Sequence, residues 1–414
     1  MVPMSSQVAV GPFQSASGRS MVAALREDST SFGLDGIHSL SFDRAGRLIC
    51  AFWEGRSIRR SLDSRFIEKR KVGNYPWSYA RRELDPHEAR ALCDTISREL
   101  RAIHEGLGGH TQALPASHLV DLQGRVKDIL GWNAEALEAD AVRFRSVYLP
   151  IPILPPDQYG ALVVQLTEGC SYNKCTFCRF YRDRPFRTKS PEEFRTHIGA
   201  ARKFFGEGLQ LRKSVFLADA NALVLPFLRL LEAFEILQEE LPLRAGPLRG
   251  VYSFIDAFSG AAKSVAEFRA LATAGLQRVY LGLESGCENL LRFLNKPATS
   301  AEALELISTL KSAGVHVGII VMVGIGGDRF AERHVQDTLA AVNAMGLGPQ
   351  DILYLSPLAA DPDSPYRQQE RATGINPLTE DETDAQLRAL KAGLRFDPRG
   401  RPKVAIYDIR DFIY

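Results

Sequence analysis

The sequence lacks any apolar run long enough to cross a bilayer, which takes about 20 residues in a helix. Its first 28 residues contain no hydrophobic signal region, only the short apolar stretch 21–25. The sequence also lacks a large net charge, because 51 Lys and Arg are balanced by 49 Asp and Glu. No overall electrostatic field therefore attracts nucleic acid or a membrane surface. We therefore expect a soluble, cytoplasmic protein with no membrane partner.

Cysteine is scarce, with six in 414 residues. Cys50, Cys93 and Cys287 are isolated, which is not the pattern of a disulfide framework and fits a reducing compartment. We interpret these three as free buried thiols. The other three, Cys170, Cys175 and Cys178, fall within one short segment of the chain.

The chain is 45% hydrophobic, which is enough for a large core or for several domains. Residues 1–34 are rich in Ser and Gly with little periodicity, and we predict a loosely ordered segment there. Residues 35–147 are predicted to form a small α+β module, with a hairpin over 39–52 and helices over 86–106 and 117–145.

Strands and helices alternate over residues 148–360. The predicted strands are 161–166, 214–219, 248–255, 278–284, 315–323 and 351–357, and the predicted helices are 191–206, 225–240, 264–274, 300–313 and 331–345. Nearly continuous apolar strands indicate a parallel sheet covered by helices. Six β/α units are too few for a closed eight-stranded barrel, so we expect an α/β fold, a partial (β/α)6 TIM-like barrel with its site at the C-terminal strand ends. Residues 361–414 are predicted to be a C-terminal helix and a tail that caps the barrel opening.

The three clustered cysteines directly follow the first predicted barrel strand. Three soft thiolates on one loop can hold three corners of an iron–sulfur cube and leave the fourth open for chemistry. A structural zinc site uses four ligands, and the nearest histidines are the distant His118 and His197. The alternative is a non-catalytic metal knuckle that shapes a surface for RNA or a protein partner.

Residues 161–360 resemble the radical S-adenosylmethionine (radical SAM) superfamily, a partial barrel with a three-cysteine loop after strand one. Phe177 matches the aromatic residue that precedes the third cysteine, although this loop reads C-x4-C-x2-C where C-x3-C-x2-C is commonest. The resemblance implies a [4Fe–4S] cluster on Cys170, Cys175 and Cys178, with S-adenosylmethionine (SAM) at the open iron. It further implies reductive cleavage of SAM to a 5′-deoxyadenosyl radical, which abstracts hydrogen from an unidentified small-molecule substrate. The reductant would be external, such as flavodoxin or ferredoxin.

The resemblance also implies cofactor contacts at later strand ends. Asp219 and Asn221 follow the second strand, where the superfamily often has Gly-Gly-Glu against the methionine amino group; the alternative is a pair of helix-capping residues. Glu284 and Ser285 end the fourth strand, in a segment similar to the family's Glu-Ser-Gly, and a carboxylate at the end of an apolar strand is awkward as plain core. Gly324 ends the strand that resembles the one lying along the adenine edge.

Two basic segments have alternative interpretations. The run after the cysteine loop contains Arg179, Arg182, Arg184, Arg187 and Lys189, which is either a solvated face or a clamp for an anionic substrate or an acidic reductant. Residues 56–82 carry nine Lys and Arg against two acids, interleaved with aromatics. Such a pattern can bind RNA, but the small net charge favours a solvated hairpin.

Two further absences narrow the chemistry within the superfamily. Beyond Cys178 only Cys287 remains, so the sequence holds no cysteine-rich extension for a second cluster. The segment 85–90 does not match the Asp-x-His-x-x-Gly signature of cobalamin-binding domains. We expect a single-cluster enzyme whose substrate the sequence does not identify.

Overall fold

The computed structural model describes residues 8–107, 116–243, 246–258, 263–398 and 400–414. The strands and helices up to residue 147 are β1 (Val8–Gln14), β2 (Ser20–Leu25), β3 (Ser29–Leu34), β4 (His38–Asp43), β5 (Leu48–Trp53), β6 (Arg56–Arg60), β7 (Phe66–Lys71), β8 (Tyr79–Glu83), α1 (Pro86–Leu107), α2 (Ala116–Leu130) and α3 (Ala134–Val147). The eight strands form one antiparallel meander in chain order. Helix α1 buries one apolar stripe that includes Leu92, Ile96 and Leu100 in the same core as the sheet.

The prediction of a loosely ordered segment over 1–34 is wrong for residues 8–34, which form β1 to β3; residues 1–7 lie outside the described residues. Met21, Ala23 and Leu25 are buried, while Val22 between them is 45% exposed. This alternation is the pattern of a strand with one buried face. The alternation was not recognised in the sequence, because the strands are short, closely spaced and rich in Ser and Gly. The predicted hairpin is confirmed as β4 and β5.

The second part of the chain forms a parallel sheet with helices between its strands. Its elements are β9 (Leu162–Gln165), β10 (Thr167–Glu168), β11 (Arg187–Thr188), α4 (Pro191–Phe205), β12 (Val215–Ala218), α5 (Phe227–Glu240), β13 (Val251–Ile255), α6 (Val265–Ala274), β14 (Leu276–Glu284), α7 (Glu288–Phe293), α8 (Ser300–Ser312), β15 (His316–Val323), α9 (Gly327–Ala344), β16 (Ile352–Pro357), α10 (Pro365–Thr373), α11 (Glu380–Gly393) and β17 (Lys403–Ile406). The sheet order is β9-β12-β13-β14-β15-β16-β17, with β10 and β11 as a separate hairpin. The α/β class and the six predicted strands are confirmed.

Local sequence explains where the covering helices begin. Ser190 and Glu193 form a reciprocal capping box at the start of α4, and equivalent boxes begin α6, α8 and α11. Each box satisfies two backbone N–H groups that would otherwise lack partners at a helix N-terminus. The helices therefore start at fixed points after their strands, and this fixes the loops at the C-terminal strand ends.

Aromatic rings and one acidic residue fill the part of the barrel nearer the N-terminal ends of its strands. The rings of Phe216, Phe254 and Tyr280 pack within centroid distances of 5.1–6.2 Å, and a Cβ on Gly318 would lie 2.3 Å from the Tyr280 ring. Asp157, which precedes β9, accepts hydrogen bonds from the hydroxyls of Tyr280 at 2.5 Å and Tyr354 at 2.6 Å. The barrel is therefore filled with side chains toward the N-terminal ends of its strands, and its free volume lies at the C-terminal ends.

The tail after α11 differs from the prediction. Residues 403–406 add a seventh parallel strand beside β16, and the following residues bridge to β9 at the opposite edge of the sheet. The Tyr414 hydroxyl accepts a hydrogen bond from the Val163 N–H at 2.9 Å and donates to the Ala161 carbonyl at 3.1 Å. The tail thus joins the two sheet edges, and its residues Tyr407 and Ile409 also lie at the C-terminal strand ends where the barrel opens. This strand is only four residues long and half-buried.

Ion pairs connect the antiparallel module to the barrel. Buried Arg47 contacts Asp140 at 2.9 Å and donates to the Phe204 carbonyl at 2.6 Å, at the C-terminal end of α4. Arg81 contacts both Asp408 and Asp411 of the tail, at 2.8 and 2.7 Å. The module is therefore attached to the same tail that closes the sheet. Among the residues that the structure describes, every helix is too short or too polar to span a membrane.

Candidate functional site

A cavity of about 440 Å³ lies at the C-terminal ends of the barrel strands, a volume in the range of small-molecule sites. Its lining includes Cys170, Cys175, Cys178, Phe177, Asn221, Asp256, Glu284 and Lys296. These residues come from four loops that are far apart in sequence. Parallel strands bring them together because all their C-terminal ends meet at one edge of the sheet.

Backbone geometry explains how the cysteine loop accommodates its extra residue. Asn173 adopts a left-handed conformation with φ of 50°, which asparagine tolerates better than most residues. Its backbone N–H donates to Cys170 Sγ at 3.3 Å, and its side-chain amide donates to the Tyr181 carbonyl at 2.7 Å. Just before the loop, Gly169 has φ of 75°, and a Cβ there would lie 2.7 Å from the Pro185 carbonyl oxygen. A turn at Asn173 therefore takes up the fourth intervening residue.

The loop is anchored to the segment that follows α7. The Tyr172 hydroxyl donates to the Asn295 carbonyl at 2.8 Å, and the Asn295 side chain donates back to the Lys174 carbonyl at 2.9 Å. The Thr176 N–H donates to the Leu294 carbonyl at 3.0 Å. These bonds hold the middle of the loop while leaving the three thiols directed to the cavity.

Two of the thiols lie in an apolar environment. Burial raises the pKa of Cys175 to about 12, against the opposing effect of Lys296, and burial raises the pKa of Cys178 to about 11. Both are therefore protonated near neutral pH, and binding a metal there would release protons.

No three or more His, Cys, Asp or Glu side chains in the described part of the chain converge on a position for one metal ion. The hypothesis of a closed metal knuckle gains no support from this geometry. A cube is a different case, because each of its thiolates binds a different iron.

Glu284 and Lys296 form a buried ion pair beside the thiols. Lys296 Nζ lies 2.8 Å from Glu284 Oε1 and also donates to the Gly282 carbonyl. Burial alone would lower the pKa of Lys296, but the charge and hydrogen bond of Glu284, together with the charges of Cys175 and Asp256, outweigh burial and raise that pKa. The pair therefore keeps a fixed cation within the cavity lining.

The end of β14 is shaped around this pair. Glu284 has φ of 61°, an uncommon value for a residue with a side chain, and the β14–β15 pairing shifts register between Gly282 and Glu284. A Cβ on Gly282 would lie 2.3 Å from Glu284 Oε1. The irregular strand end thus directs the carboxylate to the cavity, and the glycine leaves room for it.

Asp219 does not line the cavity, although the sequence suggested it as a cofactor contact. Its carboxylate accepts hydrogen bonds from the Gln165 side chain at 2.9 Å and the Gly169 N–H at 3.0 Å. Burial raises the pKa of Asp219, while the bond from Gln165 and the charge of Arg184 oppose that rise. The carboxylate lies behind the cysteine loop and holds its first residues.

Asn221 does line the cavity, together with an acid that the sequence analysis missed. Its amide nitrogen contacts Asp256 Oδ2 at 2.5 Å. Asp256 directly follows the apolar strand β13, in the same way that Glu284 ends β14. The position of Asp256 directly after an apolar strand is the sequence feature that could have identified it as a site residue. Lys296 was also passed over as a site residue, because only its partner Glu284 is adjacent to a strand.

Ser285 and Gly324 lie outside the cavity lining. The Ser285 hydroxyl lies 2.8 Å from His334 Nδ1, and His334 Nε2 lies 2.9 Å from the Met322 carbonyl. The Gly324 N–H donates to Gln386 Oε1 at 2.7 Å. Both residues tie strand ends to the helices behind them, and they do not face the space where a ligand would bind.

The basic segments are occupied by contacts within the chain. In the run after the cysteine loop, Arg182 donates to the Cys175 carbonyl, and Arg187 and Lys189 both contact Glu168. Over 56–82, seven of the nine basic residues have an acidic partner or a backbone carbonyl of another element, including those that hold the tail: Arg56, Arg59, Arg60, Arg65, Lys69, Arg81 and Arg82. The geometry does not support the minor hypothesis of an RNA surface.

Comparisons with known proteins agree with this geometry. Residues 164–339 match the family model described as the radical SAM superfamily. A curated relative, a 4′-phospho-dehydrooxetanocin synthase from Priestia megaterium, is 26% identical over 180 residues, which are 39% of this chain and 23% of that protein. The chain thus spans less than a quarter of the length of this relative.

Solved structures give more distant likenesses. The structure of the cobalamin-dependent S-adenosylmethionine radical enzyme OxsB, with aqua-cobalamin and S-adenosylmethionine bound, has a TM-score of 0.37 and 16% identity, covering 63% of this chain and 33% of that one. Coproporphyrinogen III oxidase from Escherichia coli, a radical SAM enzyme, has a TM-score of 0.43 and 14% identity, covering 63% and 56%. The family match spans the three cysteines, Glu284 and Lys296. Residues 164–339 are therefore similar to the radical SAM superfamily, and this match covers less than half of the chain.

Proposed function

We propose that this protein is an enzyme that uses a [4Fe–4S] cluster to cleave SAM reductively and abstracts a hydrogen atom from a small-molecule substrate. One observation carries the proposal: three thiols from one loop share a cavity with a buried carboxylate–ammonium pair at the C-terminal ends of parallel strands. Polar groups at this edge of a β/α barrel are typical of a catalytic site.

The donor set fits the cluster. Cys170, Cys175 and Cys178 supply three soft ligands, and the cavity lining contains no fourth cysteine and no histidine. Three thiolates would leave one iron free for another ligand. The other lining groups offer both signs of charge, which suits a ligand that carries an ammonium and a carboxylate.

When bound, the cluster would supply an electron to the sulfonium of SAM and so release a 5′-deoxyadenosyl radical. The protein's own contribution is binding and orientation. In this proposal Lys296 donates hydrogen bonds to the methionine carboxylate. Glu284, Asp256 and the Asn221 amide accept from the amino group or the ribose hydroxyls. Phe177 and the other aromatic side chains of the lining exclude water.

Three of the residues suggested from sequence would act through their neighbours. Asp219 positions the start of the cysteine loop through the Gly169 N–H. Ser285 supports the strained turn at Glu284, and Gly324 fixes the end of β15. These are positioning roles, because none of the three side chains or backbone atoms lines the cavity. The small-molecule substrate and an external reductant, such as flavodoxin or ferredoxin, remain part of the proposal.

The test is anaerobic reconstitution with iron and sulfide. The protein should bind about four irons per chain and, with dithionite and SAM, form 5′-deoxyadenosine. The Cys175→Ala variant should lose both properties. The Cys287→Ser variant is the matched control, because that buried thiol is outside the cavity lining, and it should keep both. Reconstituted protein with a full iron content that forms no 5′-deoxyadenosine would refute the proposal.

A further inference from the structure

We propose that the part of the cavity beyond the polar groups binds an uncharged, apolar substrate moiety, an aromatic or aliphatic body without phosphate or carboxylate. This inference rests on the proposed function, because it names the substrate class of the same site. It is carried by the distribution of apolar and charged side chains around the cavity.

The two sides of the cavity differ in chemistry. The charged and amide groups Asn221, Asp256 and Glu284 follow β12, β13 and β14, which are neighbours in the sheet. The remaining strands and the segments around them contribute mostly apolar side chains, with Ser356, Asp361 and Ser364 as polar side chains among them. These include Ile153, Ile320, Met322, Leu358, Tyr407 and Ile409. A ligand bound toward β16 and β17 therefore meets hydrocarbon and aromatic surface.

Two tyrosines of the lining, Tyr407 on the apolar side and Tyr280 on β14, have their hydroxyls engaged elsewhere. The Tyr407 hydroxyl donates to the Leu154 carbonyl at 2.7 Å, and the Tyr280 hydroxyl donates to Asp157 at 2.5 Å. Both side chains are almost fully buried. The hydrogen-bonding capacity of these rings is directed into the protein, so they contribute ring surface to the cavity.

The charges in the lining leave little for an anionic substrate. The lining contains two cations, Arg179 and Lys296, against three carboxylates, those of Asp256, Glu284 and Asp361. Both cations are paired: Arg179 with Asp361 at 3.0 Å and Lys296 with Glu284 at 2.8 Å. The Arg179–Asp361 pair is half exposed, whereas the buried Lys296 is shared between Glu284 and, in the proposed function, the methionine carboxylate of SAM. The buried part of the lining therefore offers no further cation to an anionic substrate.

Part of the apolar side lies outside the family match, whereas Ile320 and Met322 of β15 lie within it. The match ends at residue 339, whereas Ile153 precedes its start and Leu358, Tyr407 and Ile409 follow its end. The tail that carries Tyr407 and Ile409 is held by Arg81 of the antiparallel module. In this proposal the segments outside the family match share the apolar wall with β15, and the module takes part by fixing the tail.

The experiment compares two fluorescent probes that differ only in one charge. N-phenyl-1-naphthylamine is neutral, and 1-anilinonaphthalene-8-sulfonate is the same arene with a sulfonate. Titrated into the anaerobic, cluster-containing protein, the neutral probe should bind at least about tenfold more tightly, as expected where an anion finds no free cation. Adenosine 5′-monophosphate should not displace it at equal concentration.

The variant Ile409→Lys locates the binding. It should weaken the neutral probe about tenfold and reduce the preference over the sulfonate, because it places a cation in the apolar wall. Leu228→Lys is the matched control: Leu228 is 74% exposed on α5, outside the lining, and the same change there should leave both affinities unaltered. Circular dichroism verifies that both variants are folded. If Ile409→Lys does not fold, the ratio of the affinities of the unaltered protein for the neutral probe and for the sulfonate is the test of the inference.

Equal or tighter binding of the sulfonate by the unaltered protein would overturn the inference, and so would equal effects of the two lysine variants. Formation of 5′-deoxyadenosine in the same preparation is scored separately. Cofactor cleavage without preference for the neutral probe leaves the proposed function standing and rejects the apolar substrate class. A neutral-probe preference that Ile409→Lys removes, in protein that cleaves no SAM, supports the apolar compartment and rejects the proposed function.

Discussion

Replacement of Lys296 by methionine should both destabilise the fold and weaken SAM binding. The ammonium lies 2.8 Å from Glu284 Oε1, and the two side chains are 9% and 11% exposed. At an effective dielectric constant of about 20 the attraction at this distance is roughly 6 kcal/mol before desolvation is subtracted. Removing one partner of a buried pair typically costs about 3–5 kcal/mol, because the other charge is left uncompensated. We expect a loss in that range.

The measurement is urea unfolding of the reduced apoprotein, followed by circular dichroism under anaerobic conditions. The variants are Lys296→Met, Glu284→Gln and the two combined. The combined variant should be more stable than the sum of the single losses predicts, since neither charge remains unpaired. The control Arg388→Met removes one partner of an ion pair in which the Arg388 side chain is 72% exposed, and it should cost less than about 1 kcal/mol.

SAM affinity gives an independent readout on the cluster-containing protein. Lys296→Met should weaken SAM binding at least about tenfold by the loss of a charge-assisted hydrogen bond, whereas Arg388→Met should not change it. The reasoning about the pair would be refuted if Lys296→Met unfolded within about 1 kcal/mol of the unaltered protein. Unchanged SAM affinity in a stable variant would refute the role of Lys296 as a cofactor ligand.

Three further predictions concern the fold around the site. Burial lowers the pKa of His334 from 6.5 to about 4, so the unfolded chain binds the proton first and about 3 kcal/mol of stability should be lost as pH falls from 6.5 to 4, measured by urea unfolding. Gly318→Ala should cost about 1–3 kcal/mol, because the new methyl group would meet the Tyr280 ring, and thermal unfolding would reveal it. Tyr414→Phe should cost about 1–3 kcal/mol and speed hydrogen exchange at the Val163 amide, which loses its acceptor.

Each of these has its own control. His334→Gln should reduce the slope of the acid limb by about half, because burial also lowers the pKa of His197 to about 4. An unchanged slope would assign that limb to other groups. Gly199→Ala, on α4 with open space around the added methyl group, should be neutral or stabilising. If it destabilises the protein as much as Gly318→Ala does, the steric explanation fails. Unchanged exchange at Val163 in Tyr414→Phe would show that the hydroxyl is not needed at that edge.

The barrel was predictable because its strands are continuous apolar runs and its helices begin at strong capping signals. The strand that ends at Glu284 and the capping box at Ser190 are examples of each. The antiparallel strands β1 to β3 were not predicted, since short strands with one exposed face give weak periodicity. The seventh barrel strand depends on pairing with β16 and carries little signal of its own.

The candidate site was predictable only in part, for a related physical reason. The cysteines are recognisable in the sequence by their spacing, and Glu284 is recognisable by its position at the end of an apolar strand. Whether a polar residue at such an end faces the cavity or the helices behind it depends on backbone dihedrals and on distant partners. Asp219 turns to the Gly169 N–H, while Asp256 lines the cavity, and nothing local in the sequence separates them.

The hydrogen bond from Val163 to Tyr414 has a consequence for how the protein is made. The two residues are 251 positions apart, so at about 5–20 residues per second a ribosome delivers the second about 12–50 s after the first. During that interval the outer strand of the sheet is open and the cysteine loop beside it has already been synthesised. For the proposed function, this interval is a period in which the thiols of the loop are accessible before the tail closes the sheet edge.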